Sequence, residues 1–139
     1  MPAADPTKPL APLSPETIAH LNATLGPPTL SFIGISGGRD IRTAAWLIGF
    51  GRVEAGGTPP RATEVEIRLT EGGNLVTTSR RRGVDVLSQT GRVNDTPDSA
   101  YRWLLDDGKG KLGPASKQAW VQACRAVPEM AGLEFEDVD

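Results

Sequence analysis

The sequence predicts an α+β protein with N-terminal helices, a central antiparallel β-hairpin and two C-terminal helices that pack on one face of the hairpin. Two capping patterns support the helices: Ser14-Pro15-Glu16 and Thr96-Pro97-Asp98 each place a capping hydroxyl before a proline and an acid. The hairpin is indicated by strict alternation of polar and apolar residues over 64–70, followed by Gly72-Gly73. A sheet of two or three strands is expected.

The first helix follows a proline-rich arm. Residues 1–13 contain four prolines and few side chains that could pack, so a disordered arm is predicted there. From Ser14 onward, Ile18, Leu21 and Leu25 form an apolar stripe, and Gly26-Pro27-Pro28 ends the helix.

The secondary structure of the next segment, residues 29–54, is less clearly indicated by the sequence. Residues 29–35 fit either a short buried strand or a short apolar helix. Residues 41–50 predict a helix, because apolar residues recur at i, i+3, i+4 and i+7 from Ile41 to Ile48. The segment 14–54 is therefore expected to be helical, with 55–62 as a linker rich in glycine and proline. Residues 63–139 are expected to form a small α+β segment, either separate or in one domain with 14–54.

Within the hairpin, a two-residue loop at Gly72-Gly73 would place Leu69 opposite Val76, with the returning strand at 75–79. Residues 84–87 are a candidate third strand. Two C-terminal helices follow, one from Pro97 to about residue 105 and one from about Pro114 to 127.

Composition limits the kind of protein. The chain has 139 residues, 38% of them hydrophobic, and a formal net charge of −2, which fits a cytoplasmic protein with a modest core. The longest apolar run is too short for a membrane helix. One cysteine, Cys124, excludes an internal disulfide, and one histidine excludes a zinc site built from histidines and cysteines. No metal, cofactor or catalytic residue is predicted.

One short motif suggests nucleotide chemistry. Ser36-Gly37-Gly38-Arg39-Asp40 resembles the SGGxDS loop of the PP-loop ATP pyrophosphatases. The resemblance implies a glycine turn and a helix N-terminus that hold pyrophosphate. It covers five residues, and Ile41 replaces the family's second serine. The hairpin also replaces the alternating strands and helices of that family, so nucleotide binding by residues 36–38 is kept only as a second alternative.

A longer stretch suggests DNA binding. Residues 16–68 resemble the N-terminal helix-turn-helix of Xre-type antitoxins, through Leu25-Gly26, Thr29-Leu30, Arg42, Trp46, Gly49 and Gly57-Thr58-Pro59-Pro60-Arg61. The resemblance implies autoregulation and a partner toxin. It makes residues 36–39 the turn and 41–50 the recognition helix.

Two groups of arginines could then contact DNA. Arg39, Arg42 and Arg52 would meet phosphates or base edges, and Thr43 could contact a base. Arg80, Arg81 and Arg82 form a second group that could grip a phosphate backbone. The alternative for this second group is a solvated strand end that pairs with nearby acids.

The favoured hypothesis is a non-enzymatic DNA-binding regulator, for which the resemblance implies an antitoxin-like role. A protein–protein interaction module without a nucleic-acid role is almost equally favoured. A homo-oligomer or a protein partner is expected in either case, because so small a sheet is difficult to stabilise alone. The regulator requires Arg39, Arg42 and Arg52 on one exposed face, and the interaction module does not.

Overall fold

A computed structural model describes residues 5–56, 61–83 and 87–134. The elements, in chain order, are α1 (Pro15–Leu25), β1 (Thr29–Ile33), β2 (Ile41–Ala55), β3 (Arg61–Thr70), β4 (Leu75–Arg82), β5 (Leu87–Asn94), α2 (Pro97–Asp107), α3 (Pro114–Ala126) and a 3-10 turn (Pro128–Met130).

The strands form one curled antiparallel sheet in the order β1-β2-β3-β4-β5, so every strand pairs with its neighbours in sequence. The protein is α+β, but the predicted hairpin of two or three strands is wrong, since the described residues contain five paired strands and three α-helices. The sheet joins the two segments predicted at 14–54 and 63–139, because β2 of the first pairs with β3 of the second. Their paired residues run from Ala45 opposite Thr70 to Ala55 opposite Arg61. Of the predicted linker, residues 57–60 lie outside the described residues, as do 84–86 of the candidate third strand.

The sheet has two different faces. On one, Trp46, Ile67 and Leu69 pack with Leu21 of α1, Leu104 of α2 and residues of α3 in a single core cluster. We call this the helix face and the opposite one the open face. Burial of these large side chains is the main contribution to stability, at about 25 cal/mol per Å² of apolar surface.

Residues 41–55 correct the sequence analysis. The predicted helix over 41–50 is wrong, because these residues belong to β2, a strand of 15 residues. Ala45 and Trp46 are both buried although they point to opposite faces, and the register shifts between Leu47 and Gly49. Because β2 is buried on both faces and contains a bulge, its apolar residues do not alternate with a period of two. Their spacing therefore matches that of a helix.

The β3–β4 hairpin is present, but its register differs from the prediction. Leu69 lies opposite Leu75, and Val76 lies opposite Arg68. The Thr70 N–H donates to the Asn74 carbonyl over 2.9 Å, so the loop has three residues rather than two. Its last residue, Gly73, has φ of 89°.

The helix starts follow their capping residues. Ser14 Oγ accepts from the Thr17 N–H over 3.1 Å, and Thr96 Oγ1 accepts from the Ser99 N–H over 3.0 Å. The disordered arm is wrong for the described residues 5–13. Leu10 and Leu13 are buried in the core cluster, which ties this segment to the fold, and residues 1–4 lie outside the described part.

Candidate functional site

A sheet exposes unpaired backbone groups along its two outer strands, and the way each edge is covered locates the candidate site. β1 pairs only with the first part of β2, from Ile41 to Ala45. The outer edge of the rest of β2 lies against α3. The Phe50 N–H donates to Gln122 Oε1 over 3.0 Å, and the Arg52 N–H donates to Gln118 Oε1 over 3.2 Å. Side chains of α3 therefore occupy this part of the edge.

Two glycines of β2 allow this close approach. A Cβ at Gly51 would lie 1.8 Å from the Ala115 carbonyl oxygen, and one at Gly49 would lie 2.1 Å from the Ala119 carbonyl oxygen. The α3 backbone thus packs directly on the β2 backbone, in a space that excludes any larger residue.

The opposite edge, β5, is covered by the β1–β2 loop. The Ser36 N–H donates to the Gln89 carbonyl over 2.8 Å, and Ser36 Oγ accepts from the Gln89 N–H over 3.0 Å. Gln89 Nε2 donates to the Gly34 carbonyl over 2.7 Å. We call these bonds among Gly34, Ser36 and Gln89 the clasp. The clasp satisfies the outward-facing N–H and carbonyl of Gln89 on β5.

The clasp also accounts for the glycine-rich motif. Gly37 has φ of 71°, which only glycine adopts without strain, and Asp40 Oδ1 accepts from the Ile35 N–H over 3.1 Å. The loop leads into β2, so it lacks the helix N-terminus that a pyrophosphate cradle requires. Beside it is a shallow depression of about 340 Å³, lined by Gly34, Ile35, Ser36, Asp40, Arg80, Leu87 and Gln89.

β1 is different from both of these edges. It is the first strand in the sheet order, and no other strand in the described part of the chain pairs with its outer side. Its large side chains are exposed: Leu30 at 51% and Phe32 at 71%. Both share the helix face with Trp46, but they lie at the margin of the sheet, where Arg42 of β2 covers only one side of the Phe32 ring, 5.3 Å from its centroid.

The first group of predicted DNA-contacting residues is divided between the faces. Arg39 is exposed in the β1–β2 loop, and Arg42 lies opposite Phe32 on the helix face. Thr43 is half-buried on the open face, opposite Ser31. Arg52 is also on the open face, where it pairs with Glu54 at 2.8 Å and Glu64 at 3.4 Å. The fold therefore does not bring Arg39, Arg42 and Arg52 together on one exposed face.

The second group is divided as well. Arg80 is on the open face, where its Nε donates to Gln89 Oε1 over 2.9 Å. Arg81 is on the helix face, where it donates to the carbonyl of Asp107 over 3.0 Å and pairs with its carboxylate at 3.3 Å. Arg82 is exposed near the end of β4. Adjacent residues of a strand point to opposite faces, so the three arginines do not form one patch.

Other candidate chemistry is limited. In the described residues, no cluster of three or more histidines, cysteines, aspartates or glutamates could hold a metal ion. Cys124 is buried, and this burial, with a smaller effect of the Glu134 carboxylate, raises the pKa of its thiol to about 12. Among the helices of the described ranges, none has the length and apolar character needed to span a membrane.

Sequence reasoning did not single out Leu30 and Phe32. A signal was present, because residues 29–32 alternate polar and apolar side chains. Alternation normally marks the buried face of a strand, and the exposure of this one depends on where the helices pack. That packing is set by residues outside β1, such as Gly49 and Gly51 of β2, against which α3 lies.

Comparison of the chain with protein-family models, with curated proteins and with solved structures found no match.

Proposed function

We propose that this chain is a protein-binding module that receives a partner strand along the outer edge of β1. The observation that carries this proposal is the pair of exposed side chains, Leu30 and Phe32, on a strand whose outer side faces no other strand of the described chain. An added strand would bond to the free backbone groups and cover both side chains at once.

The way the other edges are covered supports this choice. α3 side chains bond to the outer side of β2, and the clasp bonds to β5 at Gln89. Natural sheets protect their edges with charges, prolines or covering elements, because an exposed edge pairs with other chains. β1 combines an outer side that no described strand pairs with and two large exposed apolar side chains, and a partner strand would cover both.

DNA binding as a regulator stays a prediction. Its recognition helix is replaced by β2, and its three principal arginines lie apart, so the protein-binding module has the better geometric support. Catalytic activity is not part of the proposal.

The proposal is tested by capture and reconstitution. The full chain would be used as bait in an extract of its native host, in parallel with Phe32→Lys and with Leu87→Lys as a matched control. Leu87 is 60% exposed on β5, so the control places the same charge at the opposite edge of the sheet. Each captured polypeptide would then be purified and tested directly.

We expect a purified partner to bind the wild-type chain and the Leu87→Lys variant, and to bind Phe32→Lys at least tenfold more weakly. Amide hydrogen exchange should slow over residues 29–33 when the partner is added, because new backbone hydrogen bonds form there. Equal binding by all three chains, or protection elsewhere without protection of β1, would overturn the proposal.

A further inference from the structure

We infer that the strand received by β1 is β1 of a second copy of this chain, in an antiparallel pair centred on Ser31. This inference rests on the proposed function, of which it names the partner. The result would be a two-fold symmetric dimer in which two five-stranded sheets join into one continuous sheet.

The sequence of β1 is self-complementary in this register. Pairing about Ser31 places Thr29 opposite Ile33 of the second copy, and Leu30 opposite Phe32 of the second copy. All five residues of each strand are then paired, whereas a register centred on Leu30 or Phe32 leaves residues of both strands unpaired. Odd-numbered positions meet odd-numbered ones and even meet even, so outward-pointing backbone groups always face each other.

The two apolar pairs fall on the same face. Leu30 and Phe32 share the helix face in each copy, and a two-fold axis perpendicular to the sheet preserves that face. The four side chains therefore form one cluster across the junction. Arg42 flanks the Phe32 ring on the inner side, and the second copy's Leu30 would cover the side that is now exposed.

Charge also favours a second copy. β1 carries no charged residue and no proline, the usual devices that prevent one edge from pairing with another. The nearest charge on this face of the sheet is Arg42. In the dimer the two Arg42 residues lie three strand spacings apart, roughly 14 Å, so their repulsion is largely screened at physiological salt.

The small size of the junction sets the expected affinity. Stable interfaces bury about 1,200–2,000 Å², and a pair of five-residue strands with two large apolar side chains each lies at or below the lower end. We therefore expect reversible dimers with a dissociation constant in the micromolar to high-micromolar range.

Cross-linking tests the register. The two Ser31 Cα atoms would lie about 4.5–5.5 Å apart, within reach of a disulfide. The two Thr29 residues would be offset by four positions, roughly 13 Å along the strands. Ser31→Cys should therefore form disulfide-linked dimers under mild oxidation, while Thr29→Cys and the wild-type chain, whose Cys124 is buried, should not.

Charge exchange tests the pairing itself. Leu30→Lys/Phe32→Lys and Leu30→Glu/Phe32→Glu each oppose like charges in the proposed register, so each variant alone should sediment as a monomer. In an equal mixture of the two variants, each lysine at position 30 or 32 would lie opposite a glutamate of the other chain, so dimers should form again. Both positions are exposed in the monomer, so folding should be unaffected, and circular dichroism would verify this. Leu87→Lys should dimerise like the wild-type chain.

The outcomes separate this inference from the proposed function. Concentration-dependent dimers that are cross-linked through Ser31→Cys and restored by the mixture support both. A wild-type chain that stays monomeric at millimolar concentration, or cross-links equally through Thr29→Cys, overturns the inference. If a different purified protein then binds β1, the proposed function stands without it; if none does, both are overturned.

Discussion

Gly49 and Gly51 set the distance between the sheet and α3. Both positions face the α3 backbone directly, so the carbonyls of Ala115 and Ala119 lie where a side chain would begin. Neither glycine has a positive φ, and neither forms a turn, so steric fit is the physical reason for a glycine at both positions.

We expect Gly51→Ala to destabilise the fold by about 1–3 kcal/mol, because the new methyl group must push α3 away from β2. Gly56→Ala is the matched control, since a Cβ at Gly56 has no neighbour within 4 Å among the residues that the structure describes. Urea unfolding of both variants would measure the difference. Equal stability of the two variants would show that α3 can shift without cost.

The thiol of Cys124 provides a second test of the core. With a pKa raised to about 12 by burial, its thiolate is scarce at pH 8, and a thiol reagent should label the native chain about a thousandfold more slowly than the unfolded chain. Because folding favours the neutral thiol, this contribution to stability is complete below the unfolded pKa of about 8.5 and declines as pH rises toward 12. Rapid labelling at pH 8 without denaturant would contradict this expectation.

The side chain of Gln89 links the β1–β2 loop to the sheet, because its Nε2 donates to the Gly34 carbonyl while its Oε1 accepts from Arg80 of β4. Gln89→Ala removes the bond to the Gly34 carbonyl and the acceptor for Arg80, while the backbone bonds to Ser36 remain. We expect a loss of about 0.5–1.5 kcal/mol per bond and faster hydrogen exchange at the Ser36 amide. Thr90→Ala, an exposed neighbour on β5, serves as control. Unchanged exchange at Ser36 would show that the backbone bonds alone hold the loop.

Helices and strands differed in how far the sequence could predict them. α1 and α2 begin at capping residues that contact their own first turn, so local sequence was sufficient to place them. β2 was misassigned because the burial of its helix face depends on α3, which lies far from it in sequence. The hairpin register failed by one residue, because Gly73 alone, rather than the glycine pair, takes the positive φ.

The candidate site was predictable only in part. The alternating pattern of 29–32 could have indicated a strand, but its exposure follows from the extent of α3 and from the uncovered end of the sheet. The sequence showed the arginines but not the face of the molecule on which each one lies. In a strand, adjacent residues point to opposite faces, whereas in a helix residues three or four apart share a face.

The distribution of charge over the whole chain leads to a further expectation. The formal net charge is −2, and Arg52 and Arg81 already pair with acids, so we expect no gel shift of DNA from the protein's own locus at low salt. A shift would revive the regulator hypothesis. Its log affinity should then fall with log salt by about 0.9 per phosphate contact, and Arg39→Ala/Arg42→Ala should weaken it more than the control Lys117→Ala.

The clasp affects the order in which parts of the chain can fold. Each pair of neighbouring strands can form as a local hairpin soon after synthesis, but Ser36 and Gln89 are 53 positions apart. The loop must therefore wait, unanchored, until β5 has joined the sheet, because closing so long a loop earlier costs entropy without compensating contacts. Throughout translation up to β5, the nascent chain consequently presents β1 with a free loop beside it. α2 and α3, which complete the core, are synthesised only after both residues of the clasp bond.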